Sequence, residues 1–236
     1  MGRAFEFRKA RKMKRWDAMA KTFSRIGKDI AIAVKEGGPD PANNSRLKTC
    51  IANAKGANMP KDRVEAAIKR ASSKDAASYD EVVYEGNGIK GVGVLVETAT
   101  DNPTRTVANI RLCFKKGGGE VGKTGSLSFM FDRKGQFVFP AGDHDVEELE
   151  LELIDFGLEE IEKQEDSIEI ITAFEDFGAM MKALDEKGIE CESAELVRIP
   201  TSTVTLEGDE KQQMLDMVDS LEEDDDVQNV YHNMEL

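Results

Sequence analysis

Residues 136–199, QFVFPAGDHDVEELELELIDFGLEEIEKQEDSIEIITAFEDFGAMMKALDEKGIECESAELVRI, decide the fold, because their apolar spacing switches repeatedly between strand and helix periods. Residues 136–140 alternate as a short strand. Asp143 stands where it can cap a helix carrying Val146, Leu149, Leu153 and Ile154, closed by Gly157. Residues 158–162 and 167–172 read as two strands. Phe177, Met180, Met181 and Leu184 mark a second helix that stops at Gly188, and residues 189–199 form a last strand. The order β-α-β-β-α-β is that of the ferredoxin-like split fold.

The flanks extend the pattern. Residues 82–84 and 91–98 read as strands joined by the turn Gly86-Asn87-Gly88. Asn102 and Pro103 open a helix with Val107, Ile110, Cys113 and Phe114 on one face, closed by Gly117. Residues 126–131 alternate as Leu127, Phe129 and Phe131 and read as a strand. After residue 200 come a strand at 202–206, a helix capped by Asp209 with Met214, Met217, Val218 and Leu221, and a strand at 227–234. Neither flank completes a sheet alone. Pairing them gives a second split β-α-β domain into which residues 133–200 are inserted.

Upstream, Asp17 can cap a helix running to about residue 35, with Met19, Phe23, Ile26, Ile30, Ala33 and Val34 at steps of three and four. Gly37, Gly38 and Pro39 stop it. A second helix spans 44–55 with Leu47, Ile51 and Ala54 inward, ended by Gly56. A third begins at Pro60 with Val64, Ala67, Ile68 and Ala71 inward. Residues 72–78 read as a linker. Residues 1–16 show no clean period and read as a flexible arm that orders on a partner. The predicted class is α+β: an N-terminal three-helix domain followed by two ferredoxin-like split β-α-β domains, one inserted in the other. The expected domains are 1–78, basic and helical with an N-terminal arm; 79–132 plus 201–236, discontinuous α/β; and 133–200, inserted and acidic.

Charge divides the chain along the same lines. Residues 1–74 hold 19 Lys+Arg against 7 Asp+Glu, residues 75–140 hold 8 of each, and residues 141–236 hold 5 against 31. The overall charge of −14 hides this basic head on an acidic body. A concentrated basic segment can neutralise phosphates, whereas a strongly acidic one cannot lie against them. Arg3, Arg8, Lys9, Arg11, Lys12, Lys14 and Arg15 crowd the arm, interleaved with Phe5, Phe7 and Trp16, which can stack on unpaired bases or fold back onto the core. Lys21, Arg25 and Lys28 recur at i, i+4 and i+7, away from the apolar stripe, and Arg46, Lys48, Lys55, Lys61 and Arg63 extend the basic face. These fifteen residues are the expected nucleic-acid contacts.

Other chemistry finds little support. Cys50, Cys113 and Cys191 are far apart and include no C-x-x-C pair, as expected of reduced, buried thiols. His144 and His232 each stand alone in acidic sequence and read as surface residues. No metal site and no catalytic residue is expected. No apolar run approaches the ~20 residues of a membrane helix. The basic start lacks the apolar stretch of a secretory signal and the serines of a mitochondrial transit peptide, so the expected compartment is the cytoplasm.

Two glycine motifs compete with this reading. Gly117–Thr124 fits G-x-x-x-x-G-K-[ST], but it leaves a helix and enters a strand, the reverse of a phosphate-cradling loop. It reads as a flexible loop in which Lys115, Lys116 and Lys123 can make secondary phosphate contacts. Gly86–Gly91 fits G-x-G-x-x-G, yet a strand follows it where a dinucleotide site needs a helix. The acids at 222–226 lack the spacing of a calcium loop and read as a solvated helix end.

Several stretches resemble the YebC family: GGPDPANNSRLKTCIANAKGANMPKDRVEAAIKRA at 37–71, YEGNGIKGVGVLVETATDN at 84–102, RTVANIR at 105–111 and KTGSLSFMFDRKG at 123–135. Asn58-Met59-Pro60-Lys61 and Asp132-Arg133-Lys134-Gly135 are its most specific elements. One departure is the start, Gly2-Arg3-Ala4-Phe5-Glu6-Phe7, where family members usually carry a Gly-His-Ser-Lys-Trp-like stretch. The resemblance implies a three-domain cytoplasmic protein with a helical N-terminal domain and two α/β domains. It implies a DNA-binding transcriptional regulator, with translational activators among mitochondrial relatives and relief of ribosomes stalled on proline-rich sequences among bacterial ones. It implies no catalysis.

The expected function is therefore non-enzymatic regulation of gene expression through nucleic-acid binding, with no cofactor, no membrane and no small-molecule substrate. The target is DNA in one version and rRNA, with ribosome association, in the other. The absence of a helix-turn-helix signature leans towards RNA. The acidic body is expected to face solvent or a basic protein. A P-loop-type NTPase using Lys123 and Thr124 and an adaptor on anionic membranes are the rivals from other classes.

Overall fold

The structure, a computed structural model, describes the backbone of residues 3–73 and 75–235 and the side chains of that range from Met19 onward. It divides into two compact units, residues 1–77 and 78–236.

The first unit holds three helices: α1 (Arg3–Gly37), α2 (Ser45–Gly56) and α3 (Lys61–Ala71). The arm expected at 1–16 is not irregular: from Arg3 its backbone is already helical. Arg, Lys, Ala and Met are good helix formers, and no Gly or Pro interrupts residues 3–26, so the helix has no reason to wait for Asp17. Ile26, Ile30, Ala33 and Val34 pack with Leu47, Cys50, Ala54 and Val64 into one core. Ile32, outside the predicted stripe, is buried too.

Asn44 joins α1 to α2. Its Oδ1 accepts from the Leu47 N–H at 3.0 Å, capping α2. Its Nδ2 donates to the carbonyls of Ala33 at 2.7 Å and Gly38 at 2.8 Å, two acceptors at the end of α1. Gly38, with φ +85°, closes α1 through its N–H to the Val34 carbonyl.

The second unit carries two antiparallel sheets. Its elements are β1 (Asp80–Asn87), β2 (Gly93–Thr100), α4 (Pro103–Lys116), β3 (Glu120–Val121), β4 (Phe131–Pro140), α5 (Val146–Leu153), β5 (Leu158–Lys163), β6 (Ser167–Ala173), α6 (Phe177–Glu186), β7 (Ser193–Pro200), α7 (Gly208–Glu222) and β8 (Val227–His232). The strand orders are β3-β1-β2-β8 and β5-β6-β4-β7. The second order is that of the split β-α-β fold. Phe137, Phe139, Ile168 and Ile170 face Leu149, Leu153, Met180 and Leu184 of its two helices. In the first sheet, β8 returns to pair with β2. Val94, Val96 and Val227 pack under Ile110 and Phe114 of α4 and Met214, Val218 and Leu221 of α7.

Several boundaries differ from those expected. The strand placed at 126–131 is a bend and a 3-10 turn (Ser128–Met130), and a single strand then runs from Phe131 through Pro140. Residues 131–134 find their partners in β7, from Phe131 opposite Pro200 to Lys134 opposite Val197, so they belong to the second sheet. The run at 202–206 is reduced to one parallel bridge between Val204 and Met234. Part of the pairing there is taken by the Asn233 side chain, which accepts from the Gly93 N–H and donates to the Ser202 carbonyl. Asp145, not Asp143, caps α5, and α7 starts after Glu207 rather than at Asp209.

Two buried acids fix the first sheet. Glu85, 4% exposed, accepts from the N–H of Gly125 at 2.7 Å and of Leu127 at 2.6 Å. Asp226, also 4% exposed, accepts from Thr106 Oγ1 at 2.8 Å, Thr100 Oγ1 at 3.1 Å and the Arg105 guanidinium at 2.5 Å. The acids at 222–226 are thus not all solvated: the last of them ties the α7–β8 turn to the start of α4.

Replacing Asn44 by Ala removes a cap and strands two carbonyls, so it should cost about 2–4 kcal/mol. A urea melt of the full chain followed by circular dichroism measures this. Glu85→Gln keeps the shape but turns an NH2 group towards an N–H donor; a loss of about 2–4 kcal/mol is expected. Hydrogen exchange should show Gly125 and Leu127 losing protection, while α5 and α6 keep theirs.

Candidate nucleic-acid interface

The interface is built first on α1. Lys21, Arg25 and Lys28 lie half-buried along two turns, about 10 Å of helix axis at 1.5 Å per residue. Arg63 of α3 places its guanidinium 5.6 Å from the centre of the Phe23 ring, which brings basic charge from α3 to the same stretch of α1. Arg46 pairs with Glu36 at 2.8 Å. Glu36 is fifteen residues beyond Lys21, so Arg46 sits about 20 Å further along the helix. Lys48, Lys55 and Lys61 are exposed, and Lys61 lies 3.7 Å from Glu65. Arg63 and Arg46 are thus tied to α1 at two places along its length, while Lys48, Lys55 and Lys61 project from α2 and α3. Surface ion pairs of this kind contribute roughly 0–1 kcal/mol, so a phosphate can displace them at little cost. The side chains of Arg3, Arg8, Lys9, Arg11, Lys12, Lys14 and Arg15, like those of Phe5, Phe7, Trp16 and Asp17, lie outside the described residues.

The second basic region is the connection from α4 to β4. Lys115 and Lys116 end α4 exposed, and Lys123 is exposed in the following loop. The loop is not flexible in the sense expected from its glycines. Gly119 donates to the Phe114 carbonyl, Gly122 to the Glu85 carbonyl, and Gly125 and Leu127 to the Glu85 carboxylate. A phosphate cradle needs such N–H groups free and converging; here an internal carboxylate occupies two of them. The glycines answer to packing: a side chain at Gly117 would strike Met217, and one at Gly86 would strike Phe114. Gly88 lies against Met214, whereas Gly91 has open space around it and a φ of +80°, so packing accounts for the first two glycines of G-x-G-x-x-G and backbone conformation for the third.

Burial pushes the Cys191 thiol up to about 11 and raises Cys113 as well, so neither is poised as a thiolate. His232 is half-buried rather than a surface residue, and burial lowers its pKa. Among the described residues, no three His, Cys, Asp or Glu side chains converge to hold a metal ion. Among them too, no helix is long and apolar enough to cross a membrane.

Sequence reasoning misplaced two exposed apolar groups: Ile154, expected on the inner face of the helix with Leu149 and Leu153, lies in a 3-10 turn beyond it and is 60% exposed. Phe129, assigned to a strand face with Leu127 and Phe131, is 77% exposed, whereas its two neighbours are buried. The signal was present in the hydroxyl-rich run Thr124-Gly125-Ser126, which breaks a strand.

Known proteins resemble the chain over nearly its whole length. The model of the TACO1/YebC N-terminal domain matches residues 3–74, and that of the TACO1/YebC second and third domain matches residues 79–234. A "Probable transcriptional regulatory protein" of Flavobacterium johnsoniae is 56% identical over 234 residues, covering 99% of both chains. One of the same name from Cytophaga hutchinsonii is 55% identical, covering 99% of this chain and 98% of that one. The crystal structure of a conserved hypothetical protein from Aquifex aeolicus matches with a TM-score of 0.79 at 38% identity, covering 92% of this chain and 90% of that one. With both of its units matched by the family's own domains, and full-length relatives above half identity, the chain belongs to the TACO1/YebC family.

Proposed function

We propose that this chain is a non-enzymatic, cytoplasmic regulator of gene expression that binds nucleic acid through its first unit. The observation that carries the reading is the concentration of 19 Lys+Arg against 7 Asp+Glu in residues 1–74, with Lys21, Arg25 and Lys28 aligned on one helix. A line of cations at helical spacing tracks a phosphate backbone and sets register without reading bases. Lys115, Lys116 and Lys123 supply secondary phosphate contacts. The acidic residues of 141–236 are repelled by a second phosphate wall and face solvent or a basic protein. In this reading residues 79–130 with 201–236 form one domain and residues 131–200 another, inserted acidic one, the boundary lying two residues earlier than expected because Phe131 and Asp132 pair with β7.

The relatives' names favour transcription, and so DNA. A ribosomal RNA target is the second reading, favoured by the absence of a recognisable helix-turn-helix signature in the sequence. Fluorescence anisotropy of the full chain with labelled duplex DNA and with a structured rRNA fragment, each over a salt series, tests both. Binding to either should weaken with salt. Replacing Lys21, Arg25 and Lys28 together by Gln should reduce the slope of log K against log salt by about 3, one per lost phosphate contact. An unchanged slope and affinity on both probes would overturn the reading.

A further inference from the structure

The loop between β3 and β4 contains an arrangement that phosphate binding does not explain. Leu127 and Phe131 are buried against Leu95 on the face of the first sheet opposite its helices. Between them, Phe129 is turned out to 77% exposure. This is not slack chain. Leu127 is fixed by its N–H to Glu85 at 2.6 Å, and the turn closes with the Met130 N–H on the Leu127 carbonyl at 2.9 Å. The Met130 carbonyl in turn accepts from the Thr201 N–H at 2.9 Å. A buried carboxylate is expensive to desolvate, and here it rigidifies the loop that presents an aromatic ring to water.

We propose that Phe129 is a stacking platform for an unpaired base of single-stranded RNA, with Lys123 contacting the adjoining phosphate. This rests on the nucleic-acid reading above and adds a second contact, of different chemistry, to it. A fixed aromatic face pre-pays the ordering cost of stacking, and every base offers a π-face to it. The surrounding charge suits a polyanion: residues 111–134 hold six Lys+Arg against Glu120 and Asp132, although the unit as a whole is acidic. Thr124, Ser126 and Ser128 are exposed in the same loop; the Ser128 hydroxyl donates to the Gly125 carbonyl at 3.1 Å, and hydroxyls of this kind can exchange hydrogen bonds with the ribose 2′-OH.

The test uses the full chain and four probes of one sequence: single-stranded RNA, single-stranded DNA, and the two duplexes. The single strands carry 2-aminopurine, whose fluorescence drops on stacking. Phe129→Ala should weaken single-stranded RNA binding about five- to a hundredfold and abolish the quench, leaving both duplexes and the salt slope unchanged. Phe129→Tyr should restore binding and quench. Glu85→Gln, which frees the loop without touching the ring, should weaken RNA binding to a lesser degree. If Phe129→Ala binds single-stranded RNA as the parent does, while the parent still binds in a salt-dependent way, the platform is refuted and the basic-head reading survives. Equal losses on single strands and duplexes, a parent that binds single-stranded DNA as tightly as single-stranded RNA, or loss only of a protein partner in a pull-down would each overturn it. A parent that binds none of the probes would refute both readings.

Discussion

Strand β2 is buried on both faces, and the second unit is organised around that fact. Its Val94 and Val96 face α4 and α7, while Leu95 faces Leu127 and Phe131 at the entry to β4. Its neighbours are β1, adjacent in sequence, and β8, which returns from more than a hundred residues away. A strand with two apolar faces cannot be satisfied by a hairpin alone. The chain must therefore come back after residue 200, and the side chains of Asp226 and Asn233 secure that return. Glu97 of the same strand pairs with Arg198 of β7 at 2.7 Å, so the second sheet is tethered to the first through β2 as well.

Function follows from where charge is allowed to accumulate. The acids of residues 141–236 lie mostly on the exposed faces of helices and strands, and they make that part of the chain unwelcoming to phosphate. The basic residues concentrate in the three-helix unit and on the loops after α4. Within the second unit, a buried acid does the opposite of what its charge suggests: Glu85 spends its charge internally, on backbone N–H groups, and leaves Lys123 exposed on the same loop.

Much of the architecture was legible because it depends on periodicity and caps. Asn44 and Asn102 announce α2 and α4, and both side chains accept from the N–H three residues on. The six elements of 136–199 were readable from spacing alone. What was not legible has a common cause. An alternating trio such as Leu127, Phe129 and Phe131 is also produced by a tight turn between two buried anchors, and only tertiary pairing with β7 distinguishes the two. An acid in a strand reads as solvent-facing, which hides Glu85; an acid in a run of acids does too, which hides Asp226. The basic face needed only a count of charges, so its residues could be named from sequence, while Phe129 was placed on a strand where the chain makes a 3-10 turn.

The central claim is that phosphate meets the first unit and avoids the acidic body. Ultraviolet crosslinking of the full chain to nucleic acid in cells, with mass-spectrometric mapping of the crosslinked peptides, tests it most directly. The account predicts adducts within residues 1–74 and in the loop around Phe129, and none between 141 and 199. Adducts concentrated in 141–199, with the basic unit bare, would contradict it.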